Sequence, residues 1–111
     1  MAIWKLMQQL EGEPPLPRSS HSLTVIGSKA YCIGGENQPR IPIDSTVNIF
    51  DMPTGEWVAV AAGKGPTPRV GHTAVACGPA GSEKIFIFGG RYGIAMGDGA
   101  TLQMSWIGGC M

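Results

Sequence analysis

The sequence predicts an all-β protein built from repeated four-stranded antiparallel units, and three observations carry that prediction. The 111 residues include 17 glycines and nine prolines, enough turn formers to interrupt the chain every few residues. Short runs of β-branched and aromatic residues fill the gaps between them, without sustained helical periodicity. PRSSH at Pro17 and PRVGH at Pro68 lie 51 positions apart, and the diglycines Gly34-Gly35 and Gly89-Gly90 lie 55 apart. A period of about 50 residues marks a chain of like supersecondary units.

The elements follow in order. Residues 3–7 (IWKLM) read as the fourth strand of a preceding or closing unit. Ile3, Trp4, Met7 and Leu10 also fit a helical stripe, but Trp4 precedes Pro17 by 13 residues much as Trp57 precedes Pro68 by 11. Residues 22–26 and 30–33 form a hairpin around Gly27-Ser28-Lys29, a tight-turn signal. TVNIF at 46–50 is a third strand, ended by the turn formers Asp51-Met52-Pro53-Thr54-Gly55. EWVAV at 56–60 is a fourth. The second copy supplies 73–77 and 84–88, with its four extra residues in the turn Gly78-Pro79-Ala80-Gly81-Ser82, where insertions cost little. TLQMSW at 101–106 is its third strand, because Thr101 follows Gly90 by 11 residues as Thr46 follows Gly35. The chain thus divides into 1–16, a fourth strand plus connection; 17–67, the first repeat; and 68–111, an incomplete second repeat, degenerate from about residue 92.

Four strands per unit, a diglycine after the second strand and a tryptophan in the fourth resemble kelch repeats, the blades of β-propellers. The resemblance runs from Trp4 to Arg91. Propellers close with roughly four to eight blades, and this chain holds material for about two. The expectation is therefore a kelch-type propeller fragment with an unclosed ring, a truncated piece of a longer propeller. Its exposed blade faces and edges would favour self-association. One stretch is more particular: GGENQPRIPID, Gly34 to Asp44, followed later by IFGGR, is similar to the opening blades of plant nitrile-specifier, thiocyanate-forming and epithiospecifier proteins and their fungal relatives. Those proteins act on glucosinolate aglycones with ferrous iron. The resemblance implies that Arg91 matches an arginine proposed to hold the aglycone sulfate. The family's Glu-x-x-x-Asp-x-x-x-His iron set is absent from this sequence, so no cofactor is expected in this chain; iron belongs only to a full-length relative.

Hairpin topology places the segment before strand one and the segment after strand two of each unit on one loop face. Arg18, Arg40, Arg69 and Arg91 all fall in those segments. A guanidinium is a planar fork of donors suited to sulfate, phosphate or carboxylate. Arg91, Arg18, Arg69 and, among the acids sharing these segments, Glu36 are the candidate ligand-binding residues. The competing role for the arginines is to tie loops to carbonyls. His21, Gly34, Gly35, Trp57, His72, Gly89 and Gly90 are read as the structural repeat motif. The histidines occupy equivalent positions without metal-ligand spacing and are expected to hydrogen-bond within their own blades. The diglycines do not lead into a helix with lysine and Ser/Thr, as a phosphate loop requires. Tolerance of positive φ and crowding between blades account for them.

Eight basic residues balance eight acidic ones. That excludes a clustered positive footprint for nucleic acid or an anionic membrane. No apolar run reaches the roughly 18 residues of a bilayer span, and no secretory signal opens the chain. Cys32, Cys77 and Cys110 lack C-x-x-C spacing; Cys32 and Cys77 read as small strand hydrophobes. No catalytic set is arguable. The functional expectation is a cytoplasmic kelch binding module whose arginine-bearing loop face takes a protein partner or small anionic ligand. The alternative is a piece of a specifier-like iron enzyme.

Overall fold

A computed structural model describes residues 2–6, 12–39, 41–43, 45–61, 67–91 and 104–108. They form nine strands and no helix: β1 (Ser22–Ile26), β2 (Lys29–Ile33), β3 (Glu36–Gln38), β4 (Ile41–Pro42), β5 (Thr46–Asp51), β6 (Glu56–Ala61), β7 (Thr73–Cys77), β8 (Lys84–Phe88) and β9 (Met104–Gly108). Unit 1 is a four-stranded antiparallel sheet in the order β1-β2-β5-β6, and unit 2 is a three-stranded sheet, β7-β8-β9. This is the meander of propeller blades, not closed into a ring.

Local chemistry sets these strands. Gly27 at φ +60° closes the β1–β2 hairpin, and β1 pairs with β2 from Ser22↔Ile33 to Ile26↔Lys29. Gly55, at φ +70°, ends the β5–β6 turn, and its amide donates to Asp51 O at 2.8 Å. The side-chain period of two then gives each sheet two distinct faces.

Those faces stack the units. Tyr31 and Ile33 of β2, Val47 and Ile49 of β5, and Ile85 and Ile87 of β8 form one buried cluster, with Ile26, Val60 and Ala74 packed around it. Burying each such side chain contributes about 1.5–3 kcal/mol. The core is therefore shared between the units, and β1 lies beside β7 at the seam. The opposite faces are open: Leu23 and Val25 of unit 1, and Val75 and Phe88 of unit 2, are exposed.

The structure differs from the sequence reading at several places. Ile3, Trp4 and Leu6 lie outside any strand and are exposed; Met7, which would end the expected 3–7 strand, is outside the described residues. The third strand of unit 2 includes Met104–Trp106 and runs on to Gly108; residues 101–103 are outside the described residues. The β3–β4 hairpin departs from the strand pattern, which Pro39 and Pro42 interrupt. It forms with Glu36↔Pro42 and Gln38↔Ile41 pairs and an irregular register, which a proline tolerates at the edge of a short ribbon. Cys32 is buried as expected, and burial pushes its thiol pKa up against the opposing pull of Arg18. Cys77 is exposed, because it ends β7 on the open face; Cys110 lies outside the described residues.

Candidate functional site

The Pro-Arg-x-x-His segments and the diglycines meet at the loop face and the seam beneath it. In unit 1, the guanidinium of Arg18 donates from Nη1 to Gly34 O at 3.0 Å and from Nε to Leu16 O at 3.1 Å. In unit 2, Arg69 donates from Nη1 to Gly89 O at 3.0 Å and from Nε to Thr67 O at 3.2 Å. Its Nη2 reaches Thr67 Oγ1 at 3.2 Å. Each arginine thus fastens the strand-one entry of its unit to the first diglycine carbonyl. In both arginines the Nη1 and Nε donors are directed at carbonyls.

The residue after each diglycine occupies a different setting. Glu36 and Arg91 are equivalent positions of consecutive units. Glu36 exchanges two backbone bonds with Ser19, both 2.9 Å, and Arg91 exchanges two with Val70, at 2.8 and 2.9 Å. The main chain therefore holds an acid and a base at matching stations on one face. The β3–β4 hairpin starts at Glu36, and Asn37 Nδ2 braces it by donating to Pro17 O at 2.8 Å. Of the four candidate ligand residues, Arg18 and Arg69 are brought to the carbonyls, whereas Glu36 and Arg91 stand on the backbone bridges. Arg40 and Asp44 fall outside the described residues.

The histidines correct the sequence reading. His72 does not bond within its own blade: its Nε2 lies 2.8 Å from Ser22 Oγ of unit 1. The repeat step that separates the two histidines brings His72 to the first strand of the neighbouring unit. His72 is buried, and its Nδ1 has no hydrogen-bond partner. Burial lowers its pKa, and the nearby charges of Arg69 and His21 lower it further. Two backbone bonds cross the same seam: Gly35 N to Arg69 O and Gly71 N to Ser20 O, both 2.9 Å. Together they form an inter-unit clasp, which the sequence signalled only as a recurring motif.

Crowding explains Gly34. At φ +71°, a Cβ there would meet His72 Cε1 at 2.5 Å and Arg69 O at 2.7 Å. Gly35, at φ +101°, would meet His21 Cβ at 2.8 Å. Ser20 is the one positive-φ residue other than glycine among the described residues, at 59°, and its equivalent Gly71 has φ +70°. On the outer face of unit 1, Trp57 of β6 packs against Phe50, with ring centroids 5.1 Å apart and planes at 48°. Pro14, Pro15, Leu16 and Pro17 pass near it, leaving a cavity of about 290 Å³ that Leu23, Cys32 and Trp57 also line. Among the described residues no group of three or more His, Cys, Asp or Glu side chains gathers as a metal site, and no helix is long and apolar enough to cross a membrane.

Comparison with known proteins agrees with this architecture. The family described as the KLHDC2/KLHL20/DRC7 Kelch-repeats domain matches residues 20–106. The chain is 44% identical over 90 residues to N-(sulfonatooxy)prop-2-enimidothioate sulfolyase of Thlaspi arvense, covering 79% of this chain and 25% of that protein. It is 39% identical over 88 residues to the Rab9 effector protein with kelch motifs of Bos taurus, covering 77% of this chain and 23% of that one. Against host cell factor 2 of Homo sapiens it is 33% identical over 104 residues, covering 77% and 13%. The chain therefore spans a quarter or less of the length of each of these relatives.

Proposed function

Because the chain belongs to the KLHDC2/KLHL20/DRC7 Kelch-repeats family, we propose that it is part of a kelch propeller that acts as a cytoplasmic binding module, its loop face engaging a protein partner through Glu36 and Arg91. The observation that carries the reading is their placement at one station of consecutive units, each fixed by two backbone bonds. A rigid main chain lowers the ordering cost of presenting opposite charges to a partner. The relatives that are a Rab9 effector and a host cell factor by name support a protein partner.

A second reading rests on Arg91 alone. The sulfolyase relative is named for a substrate with a sulfonatooxy group, and a guanidinium suits such an oxyanion. On this reading Arg91 holds a small sulfate ester. The described residues gather no three-donor metal cluster, so they do not fit a ferrous-iron centre and no iron-dependent step is derived for them.

Isothermal titration separates the readings. The chain is titrated with an acidic peptide and with phenyl sulfate, alongside Arg91→Ala and Glu36→Ala variants. The partner reading expects peptide binding that weakens several-fold with Arg91→Ala and with added salt. Phenyl sulfate binding lost with Arg91→Ala, without peptide binding, favours the second reading. Affinities unchanged by either substitution remove both residues from the site.

A further inference from the structure

The segment that leads into β1, Glu13-Pro14-Pro15-Leu16-Pro17-Arg18, has its conformation set by its own residues. Proline holds φ close to that of a polyproline II helix at 14, 15 and 17. Each residue followed by a proline, here Glu13, Pro14 and Leu16, is pushed toward the same extended region. Residues 13–18 belong to no strand or helix, and their burial repeats every three residues. Glu13 and Pro14 are exposed and Pro15 is half-buried; Leu16 and Pro17 are exposed and Arg18 is half-buried. Three residues make one turn of polyproline II. One ridge, Pro15 with Arg18, therefore lies on unit 1, while the ridges Glu13 with Leu16 and Pro14 with Pro17 face outward.

The segment is tied in place. Leu16 O accepts from Arg18 Nε at 3.1 Å, and Pro17 O accepts from Asn37 Nδ2 at 2.8 Å. At its start, a Cβ on Gly12 would run into the Trp57 carbonyl. A segment already fixed is presented to a partner at a reduced ordering cost. A neighbouring unit does not cover this station. Thr67, the counterpart of Leu16 in unit 2, is exposed although unit 1 lies alongside. That counterpart reads Gly65-Pro66-Thr67-Pro68, so Pro14 and Leu16 are particular to the first segment.

We propose that Pro14-Pro15-Leu16-Pro17 is a docking motif for a small proline-recognition domain of the WW type, read in place on the folded blade. Such a domain takes two ridges of a polyproline II helix into a groove lined by aromatic rings and leaves the third outside. Here the third ridge is the one the blade already holds. Leu16, 62% exposed, offers an apolar side chain between prolines. An SH3 domain also reads two ridges but adds an acidic pocket for a flanking arginine. Arg18 is committed to Leu16 O and, from Nη1, to Gly34 O at 3.0 Å, which favours the uncharged groove. The motif does not involve Glu36 or Arg91 and is independent of the loop-face reading.

Isothermal titration of the chain with an isolated WW domain selective for Pro-Pro-Leu-Pro peptides tests the proposal. Saturable one-to-one binding is expected, tighter than that of a free peptide of residues 11–20, because the segment is already ordered. Pro14→Ala and Leu16→Ala, one on each outward ridge, should each weaken binding about tenfold. Val75→Ala, on unit 2, should leave it unchanged. Circular dichroism checks that the strands persist in each variant. Isotope-labelled unmodified chain gives a reading that needs no variant: the amide signals of Glu13 and Leu16 should shift when the domain is added, and those of β7 and β8 should not. Absence of saturable binding, binding by the free peptide alone, or affinity unchanged in both ridge variants overturns the proposal. So does tighter binding of an SH3 domain than of the WW domain.

Discussion

The two units carry the same motif in opposite surroundings. His72 is buried against Ser22, whereas its equivalent His21 is exposed. Arg69 is buried and Arg18 half-buried, although both reach the first diglycine carbonyl in the same way. Gly34 admits no Cβ, while Gly89 has open space among the described residues. The intra-unit bonds are therefore set by the motif itself, and burial is set by whether another unit lies alongside. A kelch motif is a half-interface: it holds its own blade together and gains its remaining energy from the next one.

Breaking the shared core gives the largest contrast. Ile87→Ala, at a fully buried position of the seam, is expected to destabilise the chain by about 3–4 kcal/mol. Val75→Ala, on the open face, should change stability by less than about 0.5 kcal/mol. Urea denaturation measures both, and similar losses would mean that the units do not share a core.

The diglycines give the next contrast. Gly34→Ala combines a left-handed backbone with overpacking against His72 and Arg69 O, and should cost about 3 kcal/mol. Gly89→Ala meets only the backbone preference, about 1 kcal/mol. Equal losses from the two would show that φ alone, and not the neighbouring unit, demands glycine.

A pH titration sharpens the histidine contrast. The pKa of His72 is lowered by burial, then by Arg69 and His21. The unfolded chain therefore binds more protons than the folded chain around the ordinary histidine value, and stability falls as pH drops through about 6.5. Above that range this contribution is constant. Denaturant midpoints measured across pH 5–8 for the unmodified chain and for His72→Gln should differ in slope, the variant being flatter. A gain in place of a loss is expected at Ser20, left-handed where the second unit has Gly71. Ser20→Gly should raise stability by about 0.5–1 kcal/mol, read as a higher thermal midpoint.

Much of this was legible in the residues. Turn formers and strand patterns locate β1, β7 and β8 to their ends, and the diglycines mark the positive-φ positions. The clasp was not legible, because Ser22 and His72 are 50 positions apart and a local reading assigns each histidine to its own blade. The role of Arg18 and Arg69 was open for a related reason: a guanidinium beside a loop serves a carbonyl or an anion equally well until its donors are placed. The β3–β4 hairpin was hidden by Pro39 and Pro42. Ser20 did leave a signal, since aligning PRSSH with PRVGH sets it opposite a glycine.

The claim that the units are one body rests on bonds crossing the seam, and amide hydrogen exchange tests it most directly. Gly35 N and Gly71 N donate to Arg69 O and Ser20 O, acceptors that lie in the other unit. Both amides are predicted to exchange as slowly as the β2 and β8 core amides, opening only when the whole chain unfolds. Exchange of Gly35 and Gly71 at the rate of the Gly27 turn amide, with β2 and β8 still protected, would contradict the account.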